Sequence, residues 1–230
     1  SAGFTRFSRN ELFKNSSHIK IYKDAEMSYA LRKNEEQSET VIVNPQIKTN
    51  ISKITDASGL AKMVSNLDFV SALAGQVNAD VFYRKGKGQI SGTAVGINVS
   101  DYVSLFHTDK YVVAGNLHAL DGNNNAIAIG SGIADKLSLA INDPVTITSS
   151  AGITRTLTVV AIINSGSAVS DKSNSYTNLS TARQLLQEGP SYITSIGLNV
   201  DDPYKAKKYA RYLSAYTPYR VEDWETANAD

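Results

Sequence analysis

The chain has 230 residues, enough for one large domain or two small ones, and at this length folding buries about 70% of the surface the unfolded chain exposes. Its formal net charge is +1, from 23 basic and 22 acidic residues, so it lacks the basic excess a phosphate backbone demands, and no nucleic acid is expected as a partner. It contains no cysteine, which excludes a disulfide framework, thiol chemistry and the cysteine-based zinc sets.

In chain order, Phe4, Phe7 and Leu12 or Phe13 fall near helical spacing among Arg6, Arg9, Glu11 and Lys14, which predicts a short amphipathic helix or the end of a longer one. His18 to Tyr22 alternates as a strand. Lys23 to Thr40 is a polar excursion, and Val41-Ile42-Val43 is a strand ended by Asn44-Pro45. Asp56 suits a helix N-cap, and Leu60, Met63, Val64 and Leu67 follow on one helix face. Val77, Ala79, Val81 and Tyr83 alternate, Gly86-Lys87-Gly88 turns, and Thr93 to Ile97 forms the next strand. Ala126 to Ile129 is a buried strand, after which Ser131 is expected to cap a helix carrying Ile133 and Leu137. Val145 to Ile147 and Leu157 to Ile163 make a hairpin through Ala151-Gly152. Ser180 is expected to cap a helix with Leu185 and Leu186, closed by Gly189 and Pro190. Tyr192 to Val200 alternates as a strand. Asp202-Pro203 opens a helix with Ala206, Tyr209, Ala210 and Leu213 on one face, and Tyr219 with Val221 forms a last strand before Trp224. The longest apolar runs, such as Val159 to Ile163, fall far short of the roughly 20 residues that span a bilayer. No signal peptide is expected within the sequence as given. The chain begins Ser-Ala-Gly-Phe without a start methionine, and it is expected to be an excised fragment.

This layout predicts an α+β fold: two α/β outer parts sharing one sheet, and an inserted β-rich middle. No reaction centre stands out, and the chain is read as not an enzyme, with no catalytic residue, cofactor or metal. His18, His107 and His118 have no histidine or cysteine partner at helical spacing. Asp121-Gly122-Asn123-Asn124-Asn125 begins like a calcium loop, but Ala126 stands where glycine is required and the twelfth position carries no bidentate glutamate, so it reads as an asparagine-rich turn. Gly86, Gly88 and Gly92 lack the spacing of a phosphate loop, and there is no Gly-x-Ser-x-Gly elbow. A hydrolase assembled from distant residues needs a histidine beside a serine or carboxylate. Asn15, Asn50, Asn98 and Asn178 each open an Asn-x-Ser sequon, which is compatible with an external location.

The run Ala126-Ile-Ala-Ile-Gly130-Ser-Gly-Ile-Ala134-Asp-Lys-Leu137, then Asn142-Asp143, Val145-Thr-Ile147 and Leu157 to Gly166, resembles the MacB-like periplasmic core domain of ABC-transporter permeases, the macrolide-exporter, lipoprotein-releasing and FtsX-like group. Asn142 stands in place of the family's usual glycine, and Ala161 replaces another. Gly92 to Ile97 with Asp101-Tyr102, Val113-Ala-Gly115-Asn-Leu117, Asp171, Leu179, Ala182 to Leu186 and Val221-Glu-Asp-Trp224 are similar to flanking segments of the same domain. Gly3-Phe4 and the next few residues look like the outer end of a first membrane helix.

The resemblance implies a porter-like α/β lobe with an inserted β-rich, sabre-like subdomain. The expected division is 1–16 as the outer end of a membrane helix or stalk, 17–84 and 166–227 as the halves of the porter-like lobe, and 85–165 as the sabre-like subdomain. It implies an extracytoplasmic, periplasmic-side location on the cell membrane, with membrane helices of the same chain as neighbours. Catalysis belongs to a cytoplasmic ATPase subunit that this domain does not contact, and an envelope protein or exported substrate is the expected outer partner. In lipoprotein-releasing permeases the central hairpin is long and hooks a carrier; here it is short, about Ser149 to Thr156. Asp223 and Trp224 are expected to anchor the chain where it re-enters the membrane, packing of the indole on the sheet being the competing role. Ser165, Gly166 and Asp171 are expected to shape a turn between the lobes. If membrane helices flank the domain, its two ends project from one end of the fold. The alternative is a free-standing cell-envelope binding or adhesion module.

Overall fold

The computed structural model describes residues 16–23, 54 and 56–229. The expected helix at 4–15, the polar excursion and the strand at 41–43 lie outside the described residues. Strand β1 (Ile19–Tyr22) opens the fold, and helix α1 (Ala57–Ser65) follows with Asp56 as its cap, its carboxylate accepting from Gly59 N at 3.2 Å. Then come β2 (Val70–Lys85), β3 (Gly88–Ile97), α2 (Val99–Phe106), β4 (Val112–Gly115), β5 (Ala126–Gly130) and α3 (Ser131–Leu137). They are followed by β6 (Pro144–Ser149), β7 (Thr154–Ile163), α4 (Ala168–Ser173), β8 (Asn174–Asn178) and α5 (Leu179–Leu185). The last elements are β9 (Ser195–Val200), a 3₁₀ turn (Pro203–Lys205), α6 (Ala206–Ser214), β10 (Arg220–Asp223) and the short α7 (Trp224–Ala227). Strands and helices are interspersed, as the α+β class requires. No helix among the described residues is long and apolar enough to cross a membrane.

Two of the expected caps fall elsewhere. Ser131 is the first residue of α3, behind Gly130, which has no capping side chain. Ser180 lies inside α5, whose cap is Asn178; its side-chain oxygen accepts from Thr181 N at 2.8 Å. In both places the strand runs into the helix with no loop between, so the capping position is the last strand residue.

The strands form one sheet in the order β10-β1-β9-β2-β3-β8-β5-β7-β4, and β6 bridges β2 and β7. β2 organises it. Its first half, Val70 to Gln76, pairs with β9, and its second, Val81 to Arg84, pairs with β6; all of Gln76 to Lys85 pairs with β3. The pairings β2-β3-β8-β5-β7-β6 return to β2, so six strands close into a small barrel. Its core holds Val81, Tyr83, Ile127, Ile129, Ile147 and Leu157, supplied by alternate residues of each strand. Tyr83 is fully buried, and burial pushes its phenol well above the ordinary range; its hydroxyl is satisfied by Ser175 Oγ at 2.6 Å.

The other arm, β10-β1-β9 with the first half of β2, builds a second core with α1 and α6 around Ile19, Ile21, Val64, Ile196, Leu198 and Leu213. A third cluster joins Val95, Ile97, Leu120, Ala128, Ala161 and Ile163 with α2 residues. At the start of β1, Ile19 lies opposite Asp223, the last residue of β10. β1 and β10 are neighbouring antiparallel strands, so the chain arrives at β1 and departs from β10 at one end of the fold.

Candidate functional site

β7 ends at Ile163 and the chain turns before α4. Gly166 adopts φ 83°, a left-handed conformation that glycine reaches without a side-chain clash, and its N–H donates to Asn164 Oδ1 at 3.1 Å. Ser167 caps α4 by accepting from Ser170 N at 3.4 Å. Asp171, 7% exposed, reaches back so that one oxygen accepts from Ser165 N at 2.9 Å and from Ser165 Oγ at 2.7 Å. A buried carboxylate needs donors of this kind, because an unpaired one is costly to remove from water. Ser165, Gly166 and Asp171 are therefore one hydrogen-bonded turn. It is held closely against the barrel: a Cβ on Gly130 would meet the Asp171 carbonyl oxygen.

Beside this turn is a cavity of about 60 Å³, lined among others by Tyr102 and Phe106 of α2, Tyr111, Tyr176 of β8, Ser165 and Ser170. The Tyr102 and Tyr176 rings lie 5.5 Å apart, centroid to centroid. Burial pushes the Tyr102 phenol far above its ordinary value, helped by the neighbouring Tyr176. Burial also raises Tyr176, with the Tyr102 hydrogen bond opposing and the Asp171 charge adding. Both phenols are thus neutral at physiological pH, and neither acts as a base there. The Ser165 hydroxyl donates to a carboxylate, not to an imidazole. The cavity has room for a water or two and offers neutral hydroxyls.

Histidines are the other route to chemistry. His18 Nδ1 accepts from Val200 N at 3.0 Å, and burial lowers its pKa below the ordinary 6.5. His118 Nδ1 lies 2.9 Å from Asp121 Oδ2, an exposed pair three residues apart. No group of metal-ligating side chains gathers among the described residues. In the asparagine-rich turn the oxygens are engaged internally: Asn123 Oδ1 accepts from Asn125 N at 3.0 Å, and Asn124 Oδ1 from Asn178 Nδ2 at 2.8 Å. The sequon residues Asn98 and Asn178 are both helix caps.

Asp223 and Trp224 lie elsewhere, at the shared end of β1 and β10. Asp223 caps α7, accepting from Thr226 N at 3.1 Å and Thr226 Oγ1 at 2.6 Å. Trp224 is 6% exposed and belongs to the β10-β1-β9 core. Its backbone N–H donates to the His18 carbonyl at 3.0 Å and its indole N–H to the Pro203 carbonyl at 2.8 Å. So Trp224, through its backbone N–H and its indole, ties together the arriving strand, the departing strand and the 3₁₀ turn that leads into α6. Sequence reasoning misses Tyr102 and Tyr176 as a pair. The signal for the first of them is Asn98 before Val99, Tyr102, Val103 and Phe106, a capped amphipathic helix.

The family model of the MacB-like periplasmic core domain matches residues 24–216. Among solved structures, the chain resembles the extracellular domain of the noncanonic ABC-type transporter YknZ from Gram-positive bacteria, with 15% identity and a TM-score of 0.56 over 90% of this chain and 100% of that one. It also resembles the periplasmic region of MacB from Actinobacillus actinomycetemcomitans, with 14% identity and a TM-score of 0.56 over 95% of this chain and 96% of that one. These likenesses show a shared fold. No curated protein matches the chain.

Proposed function

From the premise that the chain belongs to the MacB-like periplasmic core domain family, and so is an extracytoplasmic domain of an ABC-transporter permease at the cell membrane, we propose that it acts as a non-catalytic lever. Membrane helices of the same chain flank it. A cytoplasmic ATPase subunit, which the domain does not touch, drives those helices. The domain passes that motion to an envelope protein or exported substrate outside.

The observation that carries this reading is the pairing of Ile19 with Asp223. An insert moved by two membrane helices needs both of its ends on one side, and β1 and β10 supply them as neighbouring antiparallel strands. The proposed division is a stalk at 1–16, a porter-like lobe from 17–84 and 166–227, and a sabre-like subdomain at 85–165. β2 in the first porter-like half, and β8 with α5 in the second, extend into the barrel. In this reading Asp223 and Trp224 fix the exit, and Ser165, Gly166 and Asp171 hold the junction between lobes.

The test uses the whole permease with its ATPase in nanodiscs, with one fluorophore on Lys87→Cys at the β2–β3 tip and one in the membrane portion. Energy transfer between them should change when ATP is added and stop cycling when hydrolysis is blocked. A distance that stays constant through ATP turnover overturns the lever. Hydrolysis of ester, peptide or glycoside substrates by the domain overturns the absence of catalysis.

A further inference from the structure

From Pro203 to Val221 the sequence carries Lys205, Lys207, Lys208, Arg211 and Arg220 and no acidic residue. Three of these cations sit in the first turns of α6 or just before it, and Lys205, Lys207 and Lys208 are all exposed. The helix buries Ala206, Ala210 and Leu213 against the sheet, so its outward face is basic. Tyr204, 55% exposed, stands beside them. Acids flank this stretch: Asp202 caps the 3₁₀ turn through Tyr204 N at 3.0 Å, Asp201 accepts from the Tyr209 hydroxyl at 3.0 Å, and Glu225 is exposed just past the exit, while Lys205, Lys207 and Lys208 follow one another on the helix start.

The position of these residues is fixed by the topology. β9 runs toward the end of the fold where the chain arrives and leaves, because Leu198 lies opposite Ile19 and Ile19 opposite Asp223. α6 therefore begins at that end and runs away from it. The Trp224 indole, bonded to the Pro203 carbonyl, pins the start of this segment to the exit. A charged helix start held at the point where the chain meets a bilayer faces lipid phosphates, and a tyrosine next to it is the residue type that settles at headgroup depth.

Resting on the reading of this domain as an insert between membrane helices, we propose that Tyr204, Lys205, Lys207 and Lys208 form a foot that rests on the anionic phosphate headgroups of the outer leaflet. The lysines meet phosphate oxygens and Tyr204 lies among the headgroups. The foot sets the angle at which the lever stands on the membrane. An acidic protein segment would suit the same cations, but the location at the exit favours the bilayer.

The experiment labels single cysteines in the full permease, otherwise free of cysteine, reconstituted in nanodiscs of phosphatidylglycerol and phosphatidylethanolamine that carry a headgroup nitroxide quencher. Three sites are compared: Glu225→Cys at the exit, Lys207→Cys in the foot, and Lys87→Cys at the far hairpin tip. β2 alone places that tip about 50 Å from the exit end, at about 3.3 Å per residue. Quenching at Lys207→Cys should exceed that at Lys87→Cys by about twofold or more, and should fall when Lys205→Gln and Lys208→Gln are added or when the discs are zwitterionic. Quenching at Glu225→Cys with none at Lys207→Cys overturns the foot and leaves the insert reading standing. Quenching at Lys207→Cys that ignores both lipid charge and the glutamines also overturns it. Absence of quenching at all three sites overturns the insert reading and the foot together.

Discussion

His18 shows how one side chain can make the joint between arriving and departing chain depend on pH. Its Nδ1 accepts from Val200 N, its own N–H donates to Asn199 Oδ1 at 3.2 Å, and its carbonyl receives Trp224 N. Burial holds its pKa below the ordinary value of 6.5, and a proton on Nδ1 would displace the Val200 bond. The unfolded chain takes up that proton first, so stability is lost as pH falls through about 6.5 and levels off below the folded value. Urea midpoints measured between about pH 7.5 and pH 5 should fall with acidification, and His18→Gln should flatten that part of the slope. An unchanged slope in the variant assigns the effect elsewhere. Nothing in the spacing of the histidines reveals this, because the partner is a backbone amide 182 residues away. Asn142 is the opposite case. The resemblance places it where glycine is usual, and the residue adopts φ 72°, a region that asparagine tolerates better than most side chains. Asp171 stands out in the sequence as a turn former, and its bonds to Ser165 give that role a geometry, while Tyr102 and Tyr176 converge only through the fold.

At the scale of elements, legibility follows how many faces are covered. The second half of β2 alternates cleanly because one side fills the barrel, and Val77 to Tyr83 is visible in the sequence. Its first half carries Ala72, Ala74 and Gly75 and packs with helices α1, α2 and α5, so the period-two signal is lost. β8, Asn-Ser-Tyr-Thr-Asn, has no apolar alternation to mark it as a strand, yet Ser175 and Thr177 are fully buried; Ser175 is kept inside by its bond to Tyr83. Sequence spacing misplaces the two caps by a residue or two for a related reason: a serine inside a helix start resembles a cap when the strand before it runs straight into the helix. The distinction is measurable. Asn178→Ala removes the acceptor for Thr181 N and the bond to Asn124, and should cost about 1–2 kcal/mol in urea unfolding, whereas Ser180→Ala, exposed inside α5, should stay within about 0.5 kcal/mol. Equal losses at the two positions would return the cap to Ser180.

The whole molecule is governed by one shared strand. Two cores, one inside the barrel and one between the β10-β1-β9 arm and its helices, have no interior residue in common, yet β2 contributes Leu73 beside one and Val81 and Tyr83 to the other. Cores joined by a flexible linker melt separately; cores threaded by a continuous, hydrogen-bonded strand cannot, because losing the β2–β9 pairing frees the strand that also closes the barrel. Trp224, the single tryptophan, reports the arm alone, while far-ultraviolet circular dichroism reports both parts. The two signals should therefore trace one coincident urea transition. Ala79→Pro, three residues past Gln76 where the β2–β9 pairing ends, removes a backbone donor from the β2–β3 ladder and should split them, the arm unfolding at a denaturant concentration different from the rest. Separate transitions in the unaltered chain would mean that β2 transmits little between the lobes. A domain of that kind bends at its middle and carries no force from the membrane to its tip.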